Sequence, residues 1–227
     1  GIDASFFNGK LNLEADWFYK KTNDILRERT DMPAILGYKL PAANVGKVDN
    51  RGIDLNITHR NHLRDFNYSI AGNLTWARNK VIDLLEPAGE KNNPRQRSTG
   101  HSMSQYFGYE ALGLFQSDEE ANNWPQPQFG KAKAGDIKYK DQNGDGIIDA
   151  EDEIAIGRSN YPELVYGLNL NAEWKGFDIT FFFQGAALAD FYYNGYLAFP
   201  YIEGRGGALL EHHIGNTWTP ENPKAEF

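Results

Sequence analysis

The chain of 227 residues contains no cysteine, which excludes disulfide bonds, thiolate metal sites and thiol catalysis. It also lacks any apolar run of roughly 18 residues, the length that a transmembrane helix needs. Basic residues are the minority, since 23 Lys and Arg stand against 31 Asp and Glu for a net charge of −8. Because no basic patch stands out either, we expect no nucleic-acid partner.

What the chain does contain is a regular alternation of apolar and polar side chains. Apolar residues occupy the even positions from 166 to 174 and the odd positions from 177 to 183. A period of two places one set on each face of a strand. Each arm has about ten residues, which is enough for a tilted strand to cross a bilayer. An aromatic residue lies on each side of the Lys175-Gly176 turn, as in an interface girdle. Phe182 interrupts the polar face.

The same alternation occurs twice more, nearer the start of the chain. Asn8-Gly9, a strong two-residue hairpin signal, joins the first pair of predicted strands. A short charged connection, 60–65, joins the second pair. The sequence therefore predicts six strands in three hairpins, namely 2–7 with 11–20, 53–58 with 66–77, and 166–174 with 177–184.

Short and long connections alternate along the chain. The long ones cover 21–50, 80–163 and the residues after Gly185, whereas the three hairpin turns are short. In an up-and-down barrel, all short turns would then lie at one rim and all long loops at the other, an arrangement typical of outer-membrane proteins. We therefore predict an all-β fold, a segment of an antiparallel transmembrane β-barrel with long extracellular loops.

Two other interpretations stay open. A soluble, calcium-stabilised β-sandwich for binding or adhesion also alternates, but it buries its apolar rows against a second sheet. A glycoside-processing enzyme domain would need acids that converge in one cleft. We see no nucleophile elbow, phosphate loop or zinc spacing, and we predict no enzymatic activity. The acids on the predicted strands fit the lining of a pore, and they are Glu14, Asp16, Asp54 and Glu173.

Residues 141–152 match the calcium-loop pattern D-x-[DN]-x-[DN]-G, with glycine at position six for a sharp turn. Hard oxygen ligands at this spacing suit Ca²⁺ better than a transition metal. Position twelve is Asp instead of Glu, and its shorter carboxylate favours weaker binding. We predict a structural Ca²⁺ site that fastens the long loop region 80–163. Its predicted ligands are Asp141, Asn143, Asp145, the Ile147 carbonyl, Asp149 and Asp152.

Several segments together resemble the C-terminal barrel region of SusC/RagA-type TonB-dependent outer-membrane transporters. Their order is that of the family, they span nearly the whole of 1–227, and as a set they are specific. The segments are Asp16–Leu26, Asn44–Asp54, Gly108–Gln116, Gly135–Gly146, Ile156-Gly157, Tyr166–Leu168, Trp174–Asp178, Gln184-Gly185 and Trp218–Pro223.

The resemblance implies a plugged barrel of about 22 strands in the outer membrane of a Gram-negative bacterium, surrounded by outer-membrane lipid. It implies import of large nutrients, oligosaccharides or peptides, with a SusD-like surface lipoprotein as lid. TonB would supply energy through the plug, to which the resemblance assigns no residue of this chain. Six strands are fewer than the about eight of the smallest barrels, so we expect an internal piece of a larger protein.

Aromatic side chains in the long connections are candidates to contact the substrate or the lid, because such rings stack on sugars and anchor interfaces. The alternatives are packing within the loops and a membrane girdle. The candidates are Tyr106, Tyr109, Trp124, Tyr192 and Tyr193. His212-His213 is not expected to bind a metal, since neighbours on a strand point to opposite faces and no third ligand is visible.

Overall fold

The computed structural model describes residues 1–28, 41–86, 98–194, 198 and 209–225. The parts of the long connections at 29–40 and 87–97 therefore lie outside the described residues. The chain divides into two compact units. The sheet unit comprises Gly1–Pro87, Ser98–Gln105 and Arg158–Asp190, and the loop unit comprises Ala88–Arg97, Tyr106–Gly157 and Phe191–Phe227.

The sheet unit is one six-stranded antiparallel sheet in the order β1-β2-β3-β4-β11-β12. Strands β1 to β4 therefore lie side by side in chain order, and β11 and β12 continue the sheet next to β4. The prediction of six strands in three hairpins is confirmed. The strands are β1 (Ile2–Phe6), β2 (Leu11–Arg27), β3 (Ala43–Leu63), β4 (Phe66–Asp83), β11 (Leu164–Trp174) and β12 (Phe177–Ala187).

The three hairpin turns lie at the same end of this sheet, as predicted; the third has its predicted length, whereas the first and second do not. Trp174 pairs with Phe177 across Lys175-Gly176, a two-residue turn with both central residues at positive φ. Leu63 pairs with Phe66, so the second turn is shorter than the predicted 60–65. The first is longer than predicted, because Phe6 pairs with Leu11 and the Lys10 N–H donates to the Phe7 carbonyl (3.3 Å).

Strands β2, β3 and β4 extend well beyond the alternating rows, to 17, 21 and 18 residues. Their pairing continues as far as Thr22, Val48 and Val81 in register. Beyond the apolar zone both faces carry polar side chains, so alternation no longer marks the strand. The connection predicted at 21–50 therefore begins later and ends earlier than the sequence pattern indicated, and the connection predicted at 80–163 begins later.

One face of the sheet is apolar and the other polar, because the register keeps the rows together. Leu170 pairs with Phe181 on one side and with Ile70 on the other. On the opposite face the Asn171 amide donates to Ser69 Oγ (3.0 Å) and the Thr180 hydroxyl donates to Asn171 Oδ1 (2.8 Å). The apolar row is half-buried to exposed along its length, with Phe181 50% exposed.

The described residues of the loop unit form three small two-stranded ladders, one short α-helix and a compact core. Phe115, Ala121 and Ala132 form that core, and Trp124 packs against it. The helix begins after Ser117, whose Oγ accepts from the Glu120 N–H (3.1 Å). The elements are β5 (Tyr106–Gly108) with β10 (Ile154–Ile156), β6 (Ala111–Leu114) with β8 (Ile137–Tyr139), β7 (Gln126–Pro127) with β9 (Ile147–Ile148), and α1 (Asp118–Asn122).

In the described part of the chain, no helix combines the length and apolar character that a membrane-spanning helix requires.

Candidate functional site

The acidic loop 141–152 is folded by its own side chains. Gly144 and Gly146 adopt φ of 77° and 85°, a left-handed conformation that favours glycine. The Asp141 carboxylate accepts from the Gly144 N–H (2.6 Å) and from the Gly146 N–H (2.9 Å). The residue at position one of the loop thus fixes both sharp turns.

Positions three and five continue this pattern. Asn143 Oδ1 accepts from the Asp145 N–H (3.0 Å), and Asp145 Oδ1 accepts from the Ile147 N–H (2.8 Å). The Asn143 amide also donates to Asp145 Oδ2 (3.1 Å). Each of these side chains makes a turn with the residue two positions later, which is the local bonding that Asn and Asp favour.

Asp152 closes the loop from its far end. Its carboxylate is fully buried and accepts from the Gln142 N–H (2.7 Å) through Oδ1 and from the Asp149 N–H (2.9 Å) through Oδ2. Asp149 in turn caps a 3₁₀ turn at Ala150–Asp152 by accepting from the Glu151 N–H (2.8 Å). Asp152, the predicted ligand at position twelve of the loop, therefore joins the start of the loop to its end.

The donor set of this loop suits calcium. All six predicted ligands offer oxygen, and a carboxylate oxygen that accepts one N–H keeps a lone pair for a cation. Asn143 and Asp145 are exposed, whereas Asp141 is half-buried. Over the residues that the structure describes, however, no three His, Asp or Glu side chains are grouped to hold a metal ion. The loop side chains are arranged by hydrogen bonds within the loop, and a bound ion would add its own contacts to these.

Carboxylates beside the loop are paired with lysines. Lys140 Nζ lies 3.0 Å from Glu110 Oε2, and the Gln142 amide donates to the same oxygen (2.8 Å). These two hydrogen bonds, that of Lys140 first, lower the pKa of Glu110. The strand that leads into the loop is thereby held to the segment before β6.

Two of the candidate aromatics lie in one cluster within the loop unit. The Tyr109 ring lies 5.7 Å from Phe129 and 5.2 Å from Tyr139, measured between centroids. The Trp124 indole N–H donates to the Tyr139 carbonyl (2.7 Å), and Lys138 Nζ lies 4.3 Å from the Trp124 ring centre. Burial raises the pKa of the Tyr139 hydroxyl. The rings of Trp124, Phe129 and Tyr139 line a cavity of about 710 Å³.

The other three candidates lie apart from that cluster. Tyr106 stacks on Tyr192 with centroids 5.8 Å apart. The Tyr193 hydroxyl lies 3.1 Å from His212 Nε2. Tyr192 and Tyr193 remain 58% and 46% exposed. The five candidates therefore do not form one site, and these two offer the larger accessible surfaces.

The His212-His213 pair lies in a 3₁₀ turn, Glu211–His213, and not on a strand. The two rings are 4.0 Å apart and tilted, so the opposite-face argument does not describe them. His213 is buried. Among the described His, Asp and Glu side chains the pair belongs to no metal-holding group.

Sequence reasoning missed Phe129, Tyr139 and Lys138, which complete the aromatic cluster. They come from different segments of the loop unit and meet Tyr109 and Trp124 only in three dimensions. No local spacing marks such a group. The alternation signal that identified the strands has no counterpart in these loops.

The acids on the strands lie on the polar face, as predicted. Asp16 pairs directly with Asp54, and Glu14 pairs with Asn56, whose amide lies 3.5 Å from the Glu14 carboxylate. Glu173 accepts from the Asn67 amide (3.3 Å) at the turn end of the sheet. The acids are distributed along the face and do not converge in one cleft.

Comparison with known proteins identifies relatives along the whole chain. The family model described as "TonB dependent receptor-like, beta-barrel" matches residues 1–183. The TonB-dependent receptor P26 of Formosa agariphila is 32% identical over 239 residues, which cover 100% of this chain and 23% of that protein. The TonB-dependent receptor SusC of Bacteroides thetaiotaomicron is 24% identical over 227 residues, which cover 96% of this chain and 21% of that protein.

Solved structures share the fold. The RagAB peptide importer in its open-open state matches with a TM-score of 0.61 and 21% identity, over 82% of this chain and 20% of that chain. The RagAB peptide transporter matches with a TM-score of 0.59 and 23% identity, over 80% and 20%. This chain thus spans about a fifth to a quarter of the length of the proteins it matches.

Proposed function

The chain belongs to the TonB-dependent receptor-like β-barrel family, and we propose that the protein of which it is part imports large nutrients, oligosaccharides or peptides, by TonB-dependent transport. Members of this family are outer-membrane proteins of Gram-negative bacteria, and the chain is an outer-membrane β-barrel segment. The family is one of transporters and receptors, not one of enzymes.

The observation that carries the proposal is the exposed apolar face with an aromatic girdle at each end. On β4 the girdles lie at Phe66 and Trp76, ten residues apart. Ten residues at about 3.4 Å each, tilted by about 40°, rise about 26 Å, which matches the apolar band of about 25 Å in barrel proteins. A β-sandwich would bury this face, whereas Phe181 and Phe183 are half exposed.

The sheet fixes how the barrel segment is oriented. All three hairpin turns lie at one end, and the long connections leave from the other. In outer-membrane barrels the short turns are periplasmic and the long loops extracellular. We therefore place the loop unit residues 106–157 outside the cell, where they can take part in capturing nutrients.

A SusD-like surface lipoprotein is the proposed partner on that extracellular side. Support comes from the relatives, since one is a SusC protein and the solved structures are of the RagAB peptide importer. Tyr192 and Tyr193 are proposed contacts to substrate or lid because they are the more exposed candidates. Tyr106, Tyr109 and Trp124 are proposed to support the loop surface by packing.

Calcium is proposed to bind the acidic loop as a structural ion. The spacing of the predicted ligands in residues 141–152 supports this proposal, and so do the oxygen donors of Asp141, Asn143 and Asp145. An ion bound to the folded loop alone would stabilise it by mass action. The loop would then hold β8 and β10, which flank it, in a fixed geometry.

Uptake by intact cells tests the transport proposal. We would delete the gene for the full-length protein and measure uptake of labelled oligosaccharides and of labelled peptides, with and without a protonophore. Energy-dependent loss of one substrate class, restored by the complementing gene, is the expected result. Unchanged uptake of both classes would contradict the proposal, and so would recovery of this chain as a soluble species near 25.7 kDa.

A further inference from the structure

A cluster of cations continues the lipid-facing side of the sheet beyond its aromatic girdle. Trp17, Ile53 and Trp76 pair across β2, β3 and β4. Two residues further from the hairpin turns, Tyr19 pairs with Arg51 and Arg51 with Arg78. Because side chains on a strand alternate with a period of two, these rows share one face. The next row on that face is Lys21, Asp49 and Lys80.

The cations line a groove with a fixed wall. The groove has a volume of about 360 Å³ and is lined by Tyr19, Arg51, Arg78, Lys80 and by residues of the segment 100–105. That segment is bonded to the edge of β4, since the Val81 N–H donates to the His101 carbonyl (2.8 Å) and the Gly100 N–H donates to the Val81 carbonyl (2.9 Å). The groove is therefore formed by backbone-anchored elements.

Positive charge is in excess at this groove, although the chain as a whole carries −8. The cations Lys21, Arg51, Arg78 and Lys80 are exposed. Two carboxylates face them. Asp49 accepts from the Tyr19 hydroxyl, and Glu163 pairs with Arg78 Nε (3.3 Å) and with Arg158 (3.1 Å). Of these groups, the cations Arg51, Arg78 and Lys80 and the carboxylate of Asp49 line the groove, and this excess of positive charge leaves a site for an anion.

The depth of the cluster in the membrane limits what that anion is. Two residues of a strand tilted by about 40° rise about 5 Å, and four residues rise about 10 Å. The rows of Arg51 and Lys80 thus lie about 5 and 10 Å beyond the girdle at Trp76. Headgroup regions occupy about 5–8 Å on each side of a hydrocarbon core of about 30 Å. Arg51 and Arg78 therefore lie at headgroup level, and Lys80 lies just above it.

We infer that this groove binds the phosphate groups of a membrane lipid headgroup in the leaflet on the long-loop side. The inference rests on the membrane orientation proposed above. Arg51 and Arg78 each offer a planar fork of donors that matches phosphate oxygens, and Lys80 adds a point charge. Trp17 lies in the row immediately below, where its exposed ring contacts the upper ends of the acyl chains. The cations thus contact the charged headgroup of a lipid, and the aromatic ring contacts the acyl chains of the same lipid.

Native mass spectrometry of the full-length protein in detergent tests this inference, with lipid A as the probe because this glycolipid carries phosphates. The double variant Arg51→Gln/Lys80→Gln removes two cations and leaves the Arg78–Glu163 pair. Lys20→Gln is the matched control, since Lys20 pairs with Asn50 on the opposite face at the same height. At about 1 kcal/mol per cation near a membrane surface, the double variant should retain lipid A about 30-fold more weakly.

The outcomes separate the sources of the anion. Weak retention of dephosphorylated lipid A by the unaltered protein is expected, and equal retention would overturn the inference. Displacement of lipid A by millimolar inorganic phosphate would also overturn it, because the site would then be one for a soluble anion. Equal retention by the double variant and Lys20→Gln would refute the cation cluster while leaving barrel assembly intact. Failure of the unaltered protein to assemble in membranes would refute the proposed function itself.

Discussion

Adjacent phenylalanines on β12 give a matched test of which face contacts lipid. Phe181 pairs with Leu170 on the apolar face, whereas Phe182 pairs with Asn169 on the polar face. Their side chains are similarly exposed, at 50% and 65%. Replacing each by arginine therefore makes the same chemical change one residue apart, on opposite sides of the sheet.

The expected difference follows from depth. Phe181 aligns through Leu170 with Ile70, and Ile70 lies one residue from the middle of the span between the girdles at Phe66 and Trp76. Arginine at the bilayer midplane costs about 2–4 kcal/mol on the lipid face. Phe181→Arg should therefore lower the folding equilibrium constant at least about 30-fold. Phe182→Arg should cost far less, because its guanidinium reaches a wet and polar surface.

Assembly of the full-length protein is the assay. Outer-membrane fractions would be compared by heat-modifiable migration on gels, and folding into lipid vesicles would be titrated with urea. The reasoning predicts that Phe181→Arg loses most folded protein while Phe182→Arg stays close to the unaltered protein. Equal behaviour of the two variants, or a larger loss for Phe182→Arg, would refute the assignment of the faces.

Three further predictions concern packing, pH and calcium. Gly52→Ala should destabilise the barrel by about 1–3 kcal/mol in urea titrations, because the added methyl would clash with the Phe18 ring, whereas Gly72→Ala, whose nearest neighbouring atom lies 4.0 Å away, should be tolerated. Lys138, then the Gln116 N–H, lowers the pKa of Glu120 from its ordinary value of 4.5, so this stabilisation is present above that pH and is lost as the pH falls through the lowered pKa. Protection factors of the β8 amides, which correct for the slower intrinsic exchange in acid, should therefore fall below that pH, and a fall centred above pH 6 would contradict this. Asp145→Ala should remove the calcium-dependent protection of the loop from protease, about tenfold at ten times the Kd, and equal cleavage of both proteins with and without calcium would end the calcium proposal.

The strands and their faces could be predicted because the signal for them is local. Except at Phe182, apolar and polar residues alternate along both strands of the 166–184 hairpin, and that alternation assigns the faces. The strand ends could not be predicted in the same way, since beyond Tyr19 and Arg51 both faces are polar. The register there is fixed by hydrogen bonds between the paired backbones, and the polarity of the side chains gives no information about it.

The acidic loop shows the same division between local and non-local information. The turn at Gly146 follows from residue types a few positions apart, and the sequence pattern predicts it. The role of Asp152 does not follow, because it depends on the approach of the Gln142 N–H ten residues away. The aromatic cluster depends on Tyr109, Phe129 and Tyr139, which meet only after the loop unit has folded.

Spin labels introduced one at a time from Phe177 to Gln184 in the membrane-embedded full-length protein would test the central claim most directly. Collision rates with oxygen, which concentrates in lipid, and with a water-soluble nickel chelate would be measured at each position. The account predicts that oxygen accessibility peaks at 177, 179, 181 and 183, and that nickel accessibility peaks at 178, 180, 182 and 184. Low accessibility to both reagents along the odd positions, as in the interior of a sandwich, would contradict a lipid-facing β-barrel wall.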